Sequence, residues 1–231
     1  MPPSADPIAA FFGPDSPLRR APEFGGRPYE VRPQQRDMAL AVAAHLRDRQ
    51  ALCVEAPTGV GKTFAYLVPA ILHACARQAP VVVSTHTISL QEQILHKDIP
   101  VLAELLGVPF QASLAKGRSN YLCLRRLQAF GQIDVERFRA EGRVQELQTI
   151  WKWATTTPTG CLGDLGFEPA RPLWDAICCE RGNCLNAACP HFRQCFLMRA
   201  RLQWQKAQVI VANHALFFSD LAMKCSGAGG E

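Results

Sequence analysis

The feature that most constrains the fold is a glycine-rich loop at residues 56–63, which reads APTGVGKT. It follows a short apolar run at 51–55 (ALCVE), which we expect to form a buried strand, and it leads into a helical pattern at 62–78. A loop between a strand and a helix can wrap phosphate groups with its backbone N–H groups. Lys62 is expected to reach the β- and γ-phosphates, and the Thr63 hydroxyl to bind Mg²⁺. The loop therefore predicts an ATP site, with Ala56 in place of the usual first glycine, formed by Pro57, Thr58, Gly59, Val60, Gly61, Lys62 and Thr63.

The pattern around this loop predicts an α/β fold with a parallel sheet. Residues 80–85 (PVVVST) are rich in β-branched side chains and predict a strand, and residues 89–106 return to helical periodicity. Strand, helix, strand and helix in this order form a βαβ unit with a right-handed crossover. Residues 207–213 (AQVIVAN) predict a further buried strand. The polar helical pieces and loops that begin near Lys116 predict an insertion within the sheet domain.

Positive charge is concentrated in the predicted insertion. Between Lys116 and Lys206 there are 14 lysines and arginines and 8 acidic residues, whereas the rest of the chain is close to neutral. A basic segment on a neutral frame is typical of nucleic-acid binding, but a solvated arginine-rich surface has the same composition. Charge alone does not decide between the two.

The cysteines indicate a metal centre. Five of the ten fall between Cys178 and Cys195, and such a cluster in a chain without secretion signals favours metal binding over disulfides. Cys184, Cys189 and Cys195 supply three thiolates, and Cys123 is the candidate for the fourth. Four thiolates suit either a [4Fe–4S] cluster or Zn²⁺, and the wide spacings between these cysteines favour the cluster. The adjacent pair Cys178 and Cys179 has diverging side chains, which we interpret as ordinary thiols.

The sequence predicts no membrane segment. The longest apolar stretch, from Phe64 to Ala76, holds 13 residues, fewer than the roughly 18 to 20 that a spanning helix needs. The N-terminus carries acids and prolines where a signal peptide has a basic start and an apolar run. We therefore expect a cytoplasmic protein.

Six segments occur together and in order: RPQQRDMA at 32–39, APTGVGKT at 56–63, STHTISLQEQIL at 84–95, KGRSNYLC at 116–123, the C-x4-C-x5-C cluster at 184–195, and VIVANHALFFSDL at 209–221. In this combination the chain resembles the N-terminal part of bacterial XPD-like superfamily 2 DNA helicases of the DinG/YoaA type. The resemblance implies a RecA-like first motor domain interrupted by a mostly helical iron–sulfur insertion. It also implies ATP-dependent 5′ to 3′ movement on single-stranded or forked DNA, in repair or replication.

The resemblance also assigns roles to individual residues. Arg32 and Gln35 would recognise adenine, a role for which the paired donor and acceptor of a glutamine amide are suited. Lys62 and Thr63 would be catalytic. The segment after the second strand would contact the DNA backbone through Thr85, Thr87, Leu90 and Gln93, and the [4Fe–4S] ligands would be Cys123, Cys184, Cys189 and Cys195.

We expect four regions along the chain. They are a Pro-rich N-terminal arm that we expect to be loose (1–28), the first part of the motor domain (29–115), the iron–sulfur insertion (116–205) and a return to the sheet (206–231). The chain contains no Asp-Glu-Ala-His run, the Walker B signature of such helicases, so we expect it to be truncated before that motif and to lack the second motor domain. Alone, it is expected to turn over negligible ATP.

Two other interpretations remain open. One is a non-catalytic module that binds single-stranded nucleic acid and carries an iron–sulfur or zinc centre without a motor. The other is a P-loop kinase with a zinc insert, for which the chain shows no acidic catalytic partner near the loop.

Overall fold

The computed structural model describes residues 6–20, 29–133 and 144–226 of the chain. These residues divide into two units. The first is formed by Met1–Leu114 together with Lys206–Glu231, and the second by Ala115–Gln205. Parts of the helical pieces predicted between 120 and 155, and the end of the chain after 226, lie outside the described residues.

The first unit is an α/β structure. Its helices are α1 (Pro7–Phe11), α2 (Pro33–Asp48), α3 (Lys62–Arg77), α4 (Ile88–Gln93), α5 (Ile99–Leu105) and α10 (His214–Cys225), with a 3₁₀ turn at Pro17–Arg20 and a π-helical turn at Ile94–Asp98. Strands β1 (Val81–Thr85), β2 (Ala112–Ala115) and β3 (Val209–Asn213) form a sheet in the order β1–β3–β2. The predicted helix at 62–78 and the predicted strands at 80–85 and 207–213 are confirmed.

The centre of this unit is the parallel pair β1 and β3. Val81 pairs with Val209 and Thr85 with Asn213, so the two strands end side by side. Helix α3 turns a buried stripe that includes Leu67, Ile71 and Ala74 towards the core, at the spacing of one helix face. The predicted α/β fold with a parallel sheet is therefore confirmed.

The predicted buried strand at 51–55 is wrong. These residues form no strand and are exposed, including the apolar side chains of Leu52 and Val54. An apolar run becomes a strand only when a neighbouring strand pairs with its backbone. In the part of the chain that the structure describes, β1, β2 and β3 pair with one another and none of them pairs with 51–55.

The interpretation of residues 1–28 as a loose arm is also wrong over its described part. Helix α1 begins at a capping residue, Asp6, whose carboxylate accepts the Ile8 N–H at 2.9 Å. Phe12 is fully buried and Leu18 nearly so, and both belong to the same core as helix α3. Apolar side chains within the Pro-rich segment therefore anchor residues 6–20 to the first unit.

The second unit is mostly helical. Its helices are α6 (Leu124–Ile133), α7 (Val144–Thr156), α8 (Arg171–Ile177) and α9 (Phe196–Lys206), with 3₁₀ turns at Arg118–Asn120, Leu162–Asp164, Asn186–Ala188 and Phe192–Gln194. Its core contains the fully buried side chains of Leu122, Leu127, Ile150, Leu173 and Ile177. Within 6–20, 29–133 and 144–226, no helix has the length and apolar character to cross a bilayer.

Candidate nucleotide site and cysteine cavity

The glycine-rich loop joins the exposed residues 51–55 to the start of helix α3. Gly59 and Gly61 have φ angles of 83° and 85°, values that residues with a Cβ rarely adopt. Gly61 caps α3, so the free N–H groups of the first helical turn begin at the loop. The Lys62 amine donates to the carbonyl oxygens of Ala56 and Pro57 at 2.8 and 3.1 Å. The loop thus holds a cationic amine beside a helix N-terminus, an arrangement that favours anions.

Two side chains at the start of helix α2 bind the backbone of this loop. Arg32 Nη1 donates to the Gly59 carbonyl at 2.8 Å, and Gln35 Nε2 donates to the Gly61 carbonyl at 2.9 Å. Gln35 is buried, and a Cβ on Gly61 would lie only 2.1 Å from its Nε2. The structure therefore brings the two predicted adenine-recognition residues to the predicted phosphate loop, where they hold its carbonyls.

Thr63, the predicted Mg²⁺ ligand, lies in the first turn of α3 and shares a hydrogen bond with the Tyr66 hydroxyl. Burial raises the pKa of Tyr66, and the bond with Thr63 partly opposes this shift. Tyr66 is therefore protonated at neutral pH.

The segment that was predicted to contact DNA begins at the end of β1. Thr85 is buried and its hydroxyl donates to the Thr87 carbonyl at 3.2 Å, so it shapes the turn rather than facing solvent. Thr87 is exposed and caps α4 by accepting the Leu90 N–H at 3.3 Å. Gln93 is exposed and donates to the buried Asp98 carboxylate at 3.3 Å. Of the four predicted residues, Thr87 and Gln93 present polar groups at the surface, and Leu90 is half-buried.

A hydrogen bond links β1 to the helix that follows β3. Ser84 Oγ lies 2.7 Å from His214 Nδ1, at the first residue of α10. Asn213 caps that helix by accepting the Leu216 N–H at 2.7 Å. These two polar contacts attach the start of α10 to the sheet edge from which Thr85 and Thr87 emerge.

In the second unit, five cysteines line one cavity with a volume of about 30 Å³: Cys123, Cys179, Cys184, Cys189 and Cys195. Four of them are the predicted ligands, which the structure therefore brings to one place. Cys179 was interpreted as an ordinary thiol, and its position in the cavity was missed. Its neighbour Cys178 lies elsewhere, with its sulfur 3.8 Å from the Asp175 carbonyl.

Cys123 and Cys195 each immediately precede a helix, α6 and α9 respectively. Hydrogen bonds with the Cys179 thiol are the largest influence on both groups and lower the pKa of each to about 6, with further help from backbone N–H groups of the first helical turns. The same contacts, together with burial, raise the pKa of Cys179. Two cavity thiols therefore favour the thiolate form that binds metals.

Arg126 holds the wall of this cavity together. Its guanidinium donates to the carbonyls of Asp175, Ala176 and Cys178 at 2.8, 2.9 and 3.0 Å, and it forms an ion pair with Glu180 at 3.0 Å. These carbonyls lie at the end of helix α8, where backbone acceptors have no partner within the helix. One side chain on α6 therefore fixes the end of α8 and the segment that leads to Cys179.

The donor set of the cavity is of the type that thiolate-bound metal centres use. All five candidate donors are thiols, the ligand type that selects zinc or iron–sulfur clusters. Among the described residues, no group of three or more His, Cys, Asp or Glu side chains is arranged to hold one metal ion. A [4Fe–4S] cluster distributes four thiolates over its irons, so its ligands do not converge on a single point.

Comparison with known proteins finds a matching family model and several relatives. Residues 33–135 match the family model described as DEAD/DEAH box helicase. The chain is 35% identical over 224 residues to the ATP-dependent DNA helicase YoaA of Escherichia coli (strain K12), a match that covers 94% of this chain and 33% of the relative. It is 39% identical over 204 residues to the ATP-dependent helicase DinG of Mycobacterium tuberculosis (strain ATCC 25618 / H37Rv), covering 80% of this chain and 30% of the relative.

A third relative is named for a different activity. The 3'-5' exonuclease DinG of Bacillus subtilis (strain 168) is 32% identical over 193 residues, covering 83% of this chain and 20% of the relative. The chain thus spans a third or less of the length of these curated relatives. The family match includes the contact between α2 and the glycine-rich loop, and the similarity to YoaA extends over nearly the whole chain. Residues 33–135 therefore carry a DEAD/DEAH box helicase domain, and most of the chain is similar to the DinG and YoaA proteins.

Proposed function

We propose that this chain supplies the ATP-binding half-site and a [4Fe–4S] insertion to an ATP-dependent DNA helicase that moves 5′ to 3′ on single-stranded DNA. The observation that carries the proposal is the contact of Arg32 and Gln35 with the carbonyls of Gly59 and Gly61. These contacts fix the shape of the loop from outside, so that its N–H groups remain available for phosphate. A glycine-rich loop that merely connected two elements would need no such support.

At the nucleotide site, we assign the phosphates to the loop from Pro57 to Thr63, whose backbone N–H groups begin at Thr58 because proline has none. The Lys62 amine would exchange its bonds to the Ala56 and Pro57 carbonyls for bonds to phosphate oxygens, because a charged acceptor forms the stronger hydrogen bond. Lys62 and Thr63 are the proposed catalytic residues, and Thr63 would hold Mg²⁺ through its hydroxyl. Gln35 keeps its amide oxygen for the adenine edge.

We assign DNA binding to the segment after β1 and to the basic residues of the insertion. Thr87 and Gln93 would contact phosphate groups directly, while the buried Thr85 positions Thr87. Phosphate contacts by lysine and arginine release counterions, so the affinity for single-stranded DNA should depend strongly on salt. Single-stranded or forked DNA is the proposed substrate.

In the insertion, Cys123, Cys184, Cys189 and Cys195 are the proposed ligands of the cluster. A bound [4Fe–4S] group would cross-link the segments that carry these residues and supply a one-electron centre. The cavity residues themselves provide thiolates next to helix N-termini, where the negative charge of a ligand sulfur is stabilised. We place the protein in the cytoplasm, where thiols are kept reduced and available for metal.

Nucleotide binding is tested with Lys62→Ala and with Lys152→Ala as a matched control. Lys152 is exposed on α7 in the second unit and has no part in the proposed site. Titration with a fluorescent ATP analogue and Mg²⁺ should show at least a tenfold loss of affinity for Lys62→Ala and no change for Lys152→Ala. Equal affinities of Lys62→Ala and the wild type would overturn the assignment of the loop.

The cluster is tested by metal analysis of the chain purified without oxygen. About four irons and four sulfides per chain are expected, with an absorbance band near 400 nm. One zinc per chain would instead favour the non-catalytic nucleic-acid-binding module.

The proposed DNA contacts have a separate test, the binding of oligothymidine at several salt concentrations. Binding that is insensitive to salt would contradict these contacts.

A further inference from the structure

The cavity contains one thiol more than a [4Fe–4S] cluster can use. We propose that Cys179 is a non-ligating fifth thiol whose S–H group donates its one hydrogen bond to a flanking ligand sulfur, that of Cys123 or Cys195, and thereby raises the reduction potential of the bound cluster. The inference rests on the proposed iron–sulfur function of the cavity. It makes Cys179 a positioning residue and leaves the four proposed ligands unchanged.

The backbone fixes Cys179 beside the first ligand. The Cys179 N–H donates to the Tyr121 carbonyl at 2.8 Å, and the Cys123 N–H donates to the Ile177 carbonyl at 2.9 Å. Cys178 pairs with Leu122 in an antiparallel bridge between these two bonds. Backbone hydrogen bonds on both sides of this bridge therefore hold the segment that carries Cys179 against the segment that ends at Cys123. This pairing keeps the two cysteines close to each other.

The same pairing explains why the two adjacent cysteines differ. Successive side chains of an extended segment lie on opposite sides of it. The Cys178 sulfur lies on the side of the Asp175 carbonyl, at 3.8 Å, whereas Cys179 lines the cavity together with Cys123 and Cys195. Only one member of the pair can therefore act on the cluster.

Burial distinguishes Cys179 from the other four cavity thiols. It is 7% exposed, whereas Cys123, Cys184, Cys189 and Cys195 are all half-buried. Cys179 is thus the least exposed of the five cavity thiols. A cluster has four thiolate positions, and the four half-buried cysteines suffice to fill them.

A thiol at this position acts as a hydrogen-bond donor. Its sulfur also lies 3.7 Å from the Leu122 carbonyl, but a ligand thiolate carries negative charge and is the stronger acceptor. Hydrogen bonds to ligand sulfurs stabilise the reduced cluster, which has the more negative charge, and so raise its reduction potential. Removal of the donor should shift the potential to more negative values without loss of iron.

The test compares Cys179→Ala, Cys179→Ser and Cys178→Ala in the whole chain, purified without oxygen. Cys178 is the matched control because it is adjacent in sequence and equally buried, and its sulfur lies outside the cavity. Iron and sulfide per chain are measured first. The midpoint potential is then obtained by a redox titration followed by electron paramagnetic resonance. All three variants should retain the iron content of the wild type.

The expected potentials separate the variants. Cys179→Ala should be more negative than the wild type, Cys178→Ala should match the wild type, and Cys179→Ser, which keeps a hydroxyl donor, should lie between Cys179→Ala and the wild type. Loss of iron in Cys179→Ala alone would make Cys179 a ligand and overturn the inference. Equal potentials in wild type and Cys179→Ala, or equal shifts in both alanine variants, would also overturn it. A wild-type chain without iron would refute the proposed cluster itself, before any variant is compared.

Discussion

Gly160 in the second unit combines a special backbone conformation with close contact to a buried ring. Its φ angle is +59°, and a Cβ at this position would lie 2.1, 2.3 and 2.6 Å from Cγ, Cδ2 and Cδ1 of Phe196. That ring is almost fully buried, and the Arg199 guanidinium lies 4.8 Å from its centre. The Gly160 carbonyl also accepts the Leu122 N–H at 2.9 Å, next to Cys123.

These contacts set the expected cost of Gly160→Ala. A left-handed conformation costs an alanine about 1–2 kcal/mol, and overpacking of a core side chain costs about 1–3 kcal/mol. The reduced freedom of the unfolded chain returns about 0.4–1 kcal/mol. We expect the free energy of unfolding to fall by about 2–4 kcal/mol. The matched control is Gly166→Ala, where φ is +82° and no atom lies within 4 Å of the added Cβ, so only the conformational cost of about 1 kcal/mol remains.

Urea unfolding followed by tryptophan fluorescence measures this difference. All four tryptophans of the chain lie in the second unit, at Trp151, Trp153, Trp174 and Trp204. With a typical urea dependence of about 1–3 kcal/mol per M, the midpoint of Gly160→Ala should lie about 1 M below that of Gly166→Ala. Equal midpoints for the two alanine variants would refute the reasoning, because the close contact with Phe196 would then have no energetic effect.

Three further outcomes follow from the structure. Arg126→Ala should lower the free energy of unfolding of the second unit by about 3 kcal/mol, because it leaves several carbonyls without a donor. Arg126→Lys should not restore the stability, since one amine cannot replace the guanidinium fork. Urea unfolding of either variant that matches the wild type would contradict this role of Arg126. Gln35→Ala should weaken ATP binding about fivefold, the equivalent of one hydrogen bond of about 1 kcal/mol. A nucleotide titration measures this affinity, and an unchanged value would count against the role of the Gly61 contact. The affinity for oligothymidine should fall linearly on a plot of its logarithm against the logarithm of salt concentration, and a flat plot would exclude the proposed phosphate contacts.

The local sequence pattern was sufficient to predict those helices and strands that pack against or pair with other described elements. Helix α3 and strands β1 and β3 were predicted from periodicity and from β-branched residues, and the structure contains all three. Residues 51–55 have a similar apolar pattern, but a strand also needs a neighbour, and sequence alone does not say whether one is present. Strand β2 is a short four-residue element that no local signal marked.

For the two sites as well, the sequence predicted features that depend on neighbouring residues and missed contacts between residues far apart in the chain. Spacing identified the loop around Lys62 and four of the cavity cysteines. It did not reveal that Gln35 binds the Gly61 carbonyl, because that contact joins residues 26 positions apart. Cys179 was missed for a different reason. The divergence of adjacent side chains was recognised, yet in a paired extended segment that divergence is what sends Cys179 into the cavity and Cys178 away from it.

Two polar contacts hold the start of helix α10. The Asn213 side chain accepts the Leu216 N–H, and His214 shares a hydrogen bond with Ser84. It buries no side chain completely, and Phe218 is 58% exposed. Local opening of such a helix costs far less free energy than unfolding of the sheet, since few apolar contacts are lost. The amide protons of α10 should therefore exchange with solvent long before those of β1 and β3. A protease added under native conditions should cut within 214–225 before it cuts within the parallel strands β1 and β3.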